Sequence, residues 1–271
     1  MAWCLSGNNM SILPITSLEL KVFLDEKVEQ YNNTSFIETD PISVPHLFSK
    51  KEDIEIAAFF AATLAWGQRS VIIRNAKLLM EWMDYSPHQF ILNYQEKDLI
   101  PFRQFKHRTF NGDDCVFFIQ SLHHIYKKFG TLEKAFEVDK SSNSNEIIKS
   151  AIINFRTHFF QGEHLKRTQK HVSNPLSNSA CKRLNMLLRW MVRHDNKGVD
   201  FGIWKSLSPA DLLCPLDIHT GNTGRKLKLI QRKQNDWKTV EELSKVLNSL
   251  DSEDPVKYDY ALFGLGVFEK F

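Results

Sequence analysis

Two residues with complementary chemistry lie where predicted helices begin in the C-terminal half of the chain. Lys182 is near the start of the helical pattern 180–192, and Asp217 immediately precedes another helical pattern. A lysine at the positive end of a helix dipole is disfavoured in its charged form, and a neutral lysine amine can attack carbon to form a Schiff base. The pair therefore predicts covalent catalysis. The alternatives are a phosphate-binding or solvated lysine, and an aspartate that only caps its helix.

Two further segments carry side chains suited to binding a substrate. Trp66 and Gln68 lie where one helical pattern ends and the next begins. An indole can stack on a nucleobase, and an amide can hydrogen-bond to a base edge through both of its ends. His219, two residues after Asp217, can contact a phosphate. These three are candidate substrate-binding residues, with a core tryptophan, a capping glutamine and a structural histidine as the alternatives.

Charge is distributed unevenly along the sequence. The net charge is +3, but residues 1–60 hold four lysines against nine acidic residues, whereas residues 163–197 hold eight basic residues against two acidic ones. Residues 224–238 hold six basic residues against one acidic residue. This basic half favours a surface that binds a polyanion, although a solvated basic face would give the same composition. The candidate nucleic-acid-binding residues are Lys166, Arg167, Lys170, Arg183, Arg189, Arg193, Arg225 and Lys226.

The pattern 180–192 also predicts which of its side chains face outward. Its apolar residues recur at the spacing of a core-facing helix stripe, and its polar residues fall on a separate stripe. The apolar stripe is Leu184, Leu187, Leu188 and Met191, and the polar stripe is Lys182, Asn185, Arg189 and Arg193. We therefore expect a row of hydrogen-bond donors on the outside of this helix.

The elements that must position these residues are helices, and the predicted fold class is all-α. No strand-type alternation is longer than four residues, and 11 glycines and 9 prolines are few for the turns of an all-β fold. Segment 51–64 is apolar nearly all round, which predicts a central buried helix, and a short helix is predicted near 203–207. We expect a loosely ordered leader at 1–17 and a single helical domain at 18–271, with 51–160 and 18–50 plus 161–271 as candidate subdomains.

Composition argues against several classes of protein. Cys4, Cys115, Cys181 and Cys214 form no C-x-x-C pair, so we expect no iron–sulfur cluster, no bound metal and no disulfide framework. No apolar stretch approaches the roughly 18 residues of a transmembrane helix, and the N-terminal segment lacks the features of a signal peptide. We therefore expect a cytoplasmic monomer that needs no cofactor and has no membrane partner.

Taken in order, the three segments resemble the helix-hairpin-helix DNA glycosylase superfamily, and most closely its archaeal 8-oxoguanine glycosylase branch. The fuller strings SACKRLNMLLRWMVR, VDFGIW, PLDIHTG and DPVKYDYALFGLG resemble an uncharacterised bacterial family. The superfamily resemblance implies a bundle of two interlocked helical subdomains and a damaged DNA duplex as substrate. It also implies that Lys182 is the nucleophile, Asp217 the essential carboxylate and Gln68 a residue of the base pocket. The implied activity is release of a damaged purine such as 8-oxoguanine, with or without subsequent strand cleavage.

The chain departs from the superfamily pattern at three points. Its turn 175–179 has no glycine where the superfamily has Leu-Pro-Gly-x-Gly, it lacks the terminal four-cysteine cluster, and 35 residues separate Lys182 from Asp217. A nucleic-acid-binding relative without the chemistry is therefore the main alternative. A third reading is a metal-dependent phosphohydrolase that uses His194-Asp195 and His123-His124.

Overall fold

The computed structural model describes residues 16–138 and 146–271. These residues form thirteen α-helices and one short antiparallel hairpin, which confirms the all-α prediction at the level of fold class. The helices are α1 (Ser17–Tyr31), α2 (Ser35–Thr39), α3 (Lys51–Leu64), α4 (Arg69–Trp82), α5 (Pro87–Asn93), α6 (Ile100–Arg103), α7 (Gly112–Phe129), α8 (Glu133–Phe136), α9 (Ile147–Phe159), α10 (Lys182–Val192), α11 (Ile218–Lys226), α12 (Trp237–Leu250) and α13 (Tyr258–Val267). The hairpin pairs β1 (Lys106–His107) with β2 (Phe110–Asn111).

The leader predicted at 1–17 lies outside the described residues except at its end. There Thr16 caps α1, because its side chain accepts a hydrogen bond from the backbone N–H of Glu19 at 3.2 Å. None of the helices in the two described ranges is both long enough and apolar enough to cross a membrane.

Helix α3 is the central element, as its all-round apolar pattern predicts. Every residue from Ile54 to Leu64 is buried. Four alanines in this stretch keep the helix surface narrow, so α4, α5 and α10 can all pack against it. The C-terminal end of α3 leads directly into the turn that carries Trp66.

The prediction of a short helix near 203–207 is wrong, because the structure has no helix there. The backbone N–H groups of Phe201 and Trp204 donate to the carbonyl oxygens of Trp190 and Met191, at 2.8 and 2.9 Å. These bonds lay the segment along the last turn of α10, and they use backbone donors that a helix would need for itself.

One acid is buried in the middle of α3. The carboxylate of Glu55 accepts four hydrogen bonds: from the Tyr126 hydroxyl at 2.8 Å, the Thr131 hydroxyl at 2.7 Å, the Leu132 N–H at 2.9 Å and the Trp204 indole N–H at 2.7 Å. A buried carboxylate is tolerated when its oxygens are satisfied in this way. Glu55 therefore fastens α7, the start of α8 and the 201–207 segment to the central helix.

Replacing Glu55 by alanine is expected to lower the free energy of unfolding by about 3–5 kcal/mol, because four donors, three of them on buried residues, lose their acceptor at once. Urea denaturation with an unchanged m-value is the measurement. Glu52→Ala, a carboxylate less than one turn away with only a surface lysine at 3.8 Å, is the control and should change stability by no more than about 0.5 kcal/mol. Equal losses in the two variants would contradict the role given to Glu55.

The first and last described helices pack against each other, and a glycine permits the contact. A Cβ atom at Gly264 in α13 would lie 2.1 Å from the ring of Tyr31 in α1. Apolar residues of α1, α12 and α13, with those of segments 214–216 and 229–230 on either side of α11, form a hydrophobic cluster of their own beside the larger cluster around α3. Helix α13 contributes to both clusters, so it joins the end of the chain to its centre.

Candidate active site

A cavity of about 540 Å³ opens where the N-termini of α10 and α11 face the junction between α3 and α4. Its wall combines aromatic rings with charged side chains. The aromatic residues are Phe36, Trp66, Tyr260 and Phe263, and the charged or titratable residues are Asp40, Arg69, Lys182, Arg183, Arg189, Asp217, His219 and Asp259. The volume is in the range of small-molecule pockets, about 300–1,000 Å³, so the cavity can hold a group of the size of a nucleoside.

Both catalytic candidates lie in this wall. Lys182 Nζ is 3.8 Å from Asp217 Oδ2, and the two side chains are 27% and 22% exposed. The pair is therefore partly shielded from water but open to the cavity. A carboxylate in this position can stabilise positive charge that develops on a bound group beside the amine.

The two carboxylate oxygens of Asp217 make different contacts. It is the N-cap of α11, where Oδ1 accepts a hydrogen bond from the backbone N–H of Thr220 at 2.9 Å. The other oxygen, Oδ2, is the one near Lys182. Capping and a role in chemistry are alternatives at the level of sequence, but in the folded chain the cap occupies Oδ1 and leaves Oδ2 facing the lysine, so one does not exclude the other.

The turn before Lys182 is left-handed at two residues that are not glycine. Asn178 has φ 56° and ψ 25°, and Cys181, the N-cap of α10, has φ 48° and ψ 33°. Asparagine tolerates this region better than most residues do, whereas cysteine adopts it at a cost. The segment 178–181 therefore reaches the left-handed region twice without a glycine, and Lys182 follows it as the first residue of α10.

Asp259 is a third acid of the site, and the sequence reasoning missed it. It is 5% exposed in α13 and lines the cavity. It accepts a short hydrogen bond from Arg189 Nη1, and the Cys214 thiol lies 3.9 Å from its other oxygen. Burial raises the pKa of Asp259 to about 6, and Asp217 acts in the same direction while Arg189 and Lys182 oppose it. The sequence pattern that could have identified Asp259 is a single acid inside an otherwise apolar helix. Such a residue is rarely buried without a partner, so it indicates a buried polar contact.

The three candidate substrate-binding residues take different places. Trp66 lines the cavity, and its ring is stacked by the Arg108 guanidinium with 4.7 Å between the guanidinium carbon and the ring centroid. His219 also lines the cavity but is exposed, at its rim. Gln68, the N-cap residue of α4, is exposed and does not line the cavity, although its neighbours Gly67 and Arg69 do. The structure therefore brings Trp66 and His219 to the lysine–aspartate pair and leaves Gln68 outside it.

Two predicted DNA-binding arginines prove to be buried. Arg189 is 4% exposed and Arg193 is 2% exposed. Arg189 bonds to Asp200 and Asp259, and Arg193 bonds to Asp200 at 3.0 Å and to Asp254 at 3.0 Å. Asn185, on the same stripe of α10, is buried as well. The predicted outward row of donors is wrong, because acids from distant parts of the chain cover that face of the helix.

Three further predicted arginines donate to acceptors within the protein. Arg167 pairs with Asp114 at 2.9 Å, Arg183 donates to the Thr63 carbonyl oxygen at 2.6 Å, and Arg225 donates to the Arg232 carbonyl oxygen at 2.7 Å. Burial lowers the pKa of Arg183 to about 10. The three predicted lysines, in contrast, are exposed: Lys166, Lys170 and Lys226.

Three of the four residues of the phosphohydrolase reading are engaged elsewhere. The described ranges contain no group of three His, Cys, Asp or Glu side chains placed to hold a metal ion. Asp195 pairs with Arg193 at 2.8 Å, His123 bonds to the Ile91 carbonyl oxygen at 2.7 Å, and His124 bonds to Gln161 at 2.7 Å. This geometry gives the third reading no support.

Fold and site together define a class: a helical protein in which a lysine and an aspartate, each at a helix N-terminus, meet in one cavity. The chain belongs to the family described as Protein of unknown function (DUF2400), whose model matches residues 40–268. The matched range contains every residue of the cavity wall that the candidate chemistry uses, Lys182, Asp217 and Asp259 among them. No curated protein and no solved structure matches the chain.

Proposed function

We propose that this protein is a base-excision DNA glycosylase that acts on a damaged purine, of the kind represented by 8-oxoguanine. The observation that carries the proposal is the 3.8 Å approach of Lys182 Nζ to Asp217 Oδ2 in the wall of a cavity that a base can enter. The resemblance to the helix-hairpin-helix glycosylases supports it, because the two residues match the superfamily's nucleophile and carboxylate in order and in helix position.

Each step of the proposed reaction has a residue assigned to it. The damaged nucleotide leaves the duplex at a cost of a few kcal/mol, which damage lowers, and its base stacks on Trp66. The neutral amine of Lys182 attacks C1′ of the sugar. The bond from C1′ to the base nitrogen breaks, and the base departs with the electron pair and takes up a proton. Asp217 stabilises the positive charge on the sugar. The C1′–O4′ bond then breaks, O4′ takes up the second proton of the amine, and a Schiff base remains between Lys182 and C1′.

The duplex lies across exposed lysines that are not part of the cavity wall. Lys166, Lys170 and Lys226 are the predicted contacts that remain exposed. Lysine–phosphate contacts supply affinity without sequence preference and weaken as salt is added. Arg189 and Arg193 have no part in this contact, because their guanidinium groups are buried among aspartates.

Borohydride trapping tests the proposal, because the reagent reduces a Schiff base to a stable amine that links protein and DNA. The substrates are a duplex with one 8-oxoguanine, the same duplex undamaged, and the same duplex with an abasic site. An adduct on the damaged duplex, absent from the undamaged one, is the expected result, and an adduct with strand cleavage on the abasic duplex would establish lyase action. Salt-sensitive binding without any adduct would favour the non-catalytic relative, and absence of both would overturn the nucleic-acid reading.

The Asp217→Asn variant is expected to lower the rate of adduct formation by about 10²–10³-fold, the usual effect of removing one electrostatic stabiliser of a transition state. Asparagine caps helices about as well as aspartate, so α11 should remain folded and duplex affinity should change little. Single-turnover trapping measures the rate. Asp98→Asn is the matched control, since Asp98 also accepts a capping bond, from the Gln95 N–H at 2.8 Å, and does not line the cavity. A rate for Asp217→Asn equal to that of the control would remove Asp217 from the mechanism.

A further inference from the structure

The loop between α11 and α12 is tied to both halves of the candidate site. Towards Asp217, the side-chain N–H of Asn235 donates to the backbone carbonyl oxygen of Asp217 at 3.1 Å. Towards Lys182, Asp236 accepts a hydrogen bond from the Asn178 side chain at 3.0 Å, and the backbone N–H of Trp237 donates to the Asn178 carbonyl oxygen at 3.1 Å. Asn178 lies in the left-handed turn four residues before Lys182. Two adjacent residues therefore hold the aspartate on one side and the approach to the lysine on the other.

Asn235 is held in place by an arginine of α11. Arg225 donates to Asn235 Oδ1 at 2.6 Å and to the carbonyl oxygens of Arg232 and Gln234 at 2.7 and 3.0 Å. An amide whose oxygen accepts from a guanidinium must present its N–H₂ group to its other neighbour. Arg225 thereby fixes the amide orientation in which Asn235 donates to Asp217.

Asp236 is equally well anchored. It caps α12 by accepting from the Thr239 N–H at 3.0 Å, and it pairs with Arg232 at 2.6 Å. Although burial acts in the opposite direction, the bonds from Arg232, Thr239 and Asn178 lower the pKa of Asp236 to about 2. It is therefore charged at neutral pH and remains a strong acceptor for Asn178.

A glycine in α11 leaves room for the Asn235 amide. A Cβ atom at Gly221 would lie 2.7 Å from Asn235 Oδ1 and 2.9 Å from Arg225 Nη1. Glycine inside a helix costs about 1 kcal/mol relative to alanine, and here its lack of a side chain allows Asn235 to reach the backbone of Asp217. The absence of a side chain at Gly221 is therefore what allows the Asn235 amide to lie against α11.

We propose that Asn235 and Asp236 form a brace that sets the separation between Lys182 and Asp217, with Asn235 as a positioning residue for the reaction. The effect on reaction rate rests on the proposed glycosylase function, whereas the effect on the lysine–aspartate pair does not. A displacement of about 1 Å caused by a residue that does not touch the reacting atoms can lower a rate by about 10²-fold. The brace acts on geometry alone, so it should influence the rate of the chemical step and not the affinity for the duplex.

Two variants break the contact by different routes. Asn235→Asp keeps the acceptor for Arg225 but removes the donor to the Asp217 carbonyl oxygen. Gly221→Ala leaves Asn235 unchanged but displaces its amide, and it favours the helix by its own propensity, so it should stay folded even if the first variant does not. Asn222→Ala, at an exposed neighbouring position of α11, is the matched control.

The first readout is trapping at saturating duplex, together with duplex affinity by fluorescence anisotropy. We expect both brace variants to form the adduct about 10²-fold more slowly with affinity within about twofold of the native chain, and the control to behave as the native chain. If the native chain forms the adduct and both variants match its rate, the brace is overturned while the glycosylase function stands.

The second readout needs no DNA. Reductive methylation with formaldehyde and cyanoborohydride, mapped by mass spectrometry, reports how readily each lysine amine reacts. Because the Lys182 amine must leave its contact with Asp217, at 3.8 Å, before it can react, loosening the pair should speed methylation of Lys182 roughly two- to fivefold, with no change at Lys166 or Lys170. If the native chain gives no adduct, the methylation experiment alone tests the brace. An unchanged methylation rate at Lys182 in both variants then overturns the brace.

Discussion

No covalent adduct is expected when Lys182 is replaced by alanine, because the amine that would form the Schiff base is gone. Removal of a nucleophile lowers the rate of a covalent step by far more than about 10³-fold, which places the adduct below detection in borohydride trapping. Duplex affinity should change much less, since one phosphate or ion-pair contact contributes little. The measurement is the yield of cross-linked product on the damaged duplex, with the same protein concentration for every variant.

Two kinds of control separate chemistry from charge. Lys182→Arg keeps the positive charge beside Asp217 but offers no amine that is neutral near pH 7, so it should bind the duplex and fail to form an adduct. Lys166→Ala and Lys170→Ala remove exposed lysines that do not line the cavity, and both should form the adduct. An adduct that persists in Lys182→Ala would transfer the nucleophile to another lysine, which peptide mapping of the cross-link would identify.

The second large effect is expected at Asp200, whose replacement by alanine should lower the free energy of unfolding by about 3–5 kcal/mol. Its side chain is fully buried and accepts from Arg189 Nε at 3.3 Å and from Arg193 Nη1 at 3.0 Å. Although burial alone would lower the pKa of Arg193, Asp200 and Asp254 raise it above its ordinary value. A guanidinium keeps its charge at neutral pH without a partner, so both arginines stay charged after the replacement and each loses a buried counter-charge.

Urea denaturation at constant m-value measures this loss. Asp195→Ala is the matched control, because Asp195 also pairs with Arg193, at 2.8 Å, but its side chain is 20% exposed. Its removal should cost about 1 kcal/mol. If the two variants lose the same amount, Asp200 is not the centre of the network.

These arginines show what periodicity can and cannot predict. The spacing of Lys182, Asn185, Arg189 and Arg193 correctly places them on one stripe of α10, separate from the leucines. Periodicity does not say what covers the stripe. Its partners come from positions 200, 254 and 259, and a polar stripe matched by buried acids has the same sequence pattern as one that faces water. The helix was therefore predictable, but the direction of its polar face was not.

The site was predictable in a similar, partial way. Lys182 and Asp217 were identified because each begins a helix, a feature that local sequence carries. Gln68 was identified from its amide at a helix junction, to which the resemblance added, and the exposed N-cap it occupies shows that a helix junction does not determine which of its residues enters the cavity. Asp259 needed the tertiary structure, because only packing of α13 against α10 brings it to Arg189. The left-handed turn at Asn178 has no glycine to mark it, and so gave no signal of its own.

The pairing of α1 with α13 sets an order of events during biosynthesis. Helix α1 leaves the ribosome early, but the helix it packs against is made more than 200 residues later, which at about 5–20 residues per second means a delay on the order of 10 to 50 seconds. Throughout that time the face of α1 that contacts α13 lacks this partner, and Asp259 has not yet been added to the chain. Lys182 and Asp217 are therefore in the chain before Asp259, Tyr260 and Phe263 can close the cavity wall, so the cavity is complete only when α13 has docked.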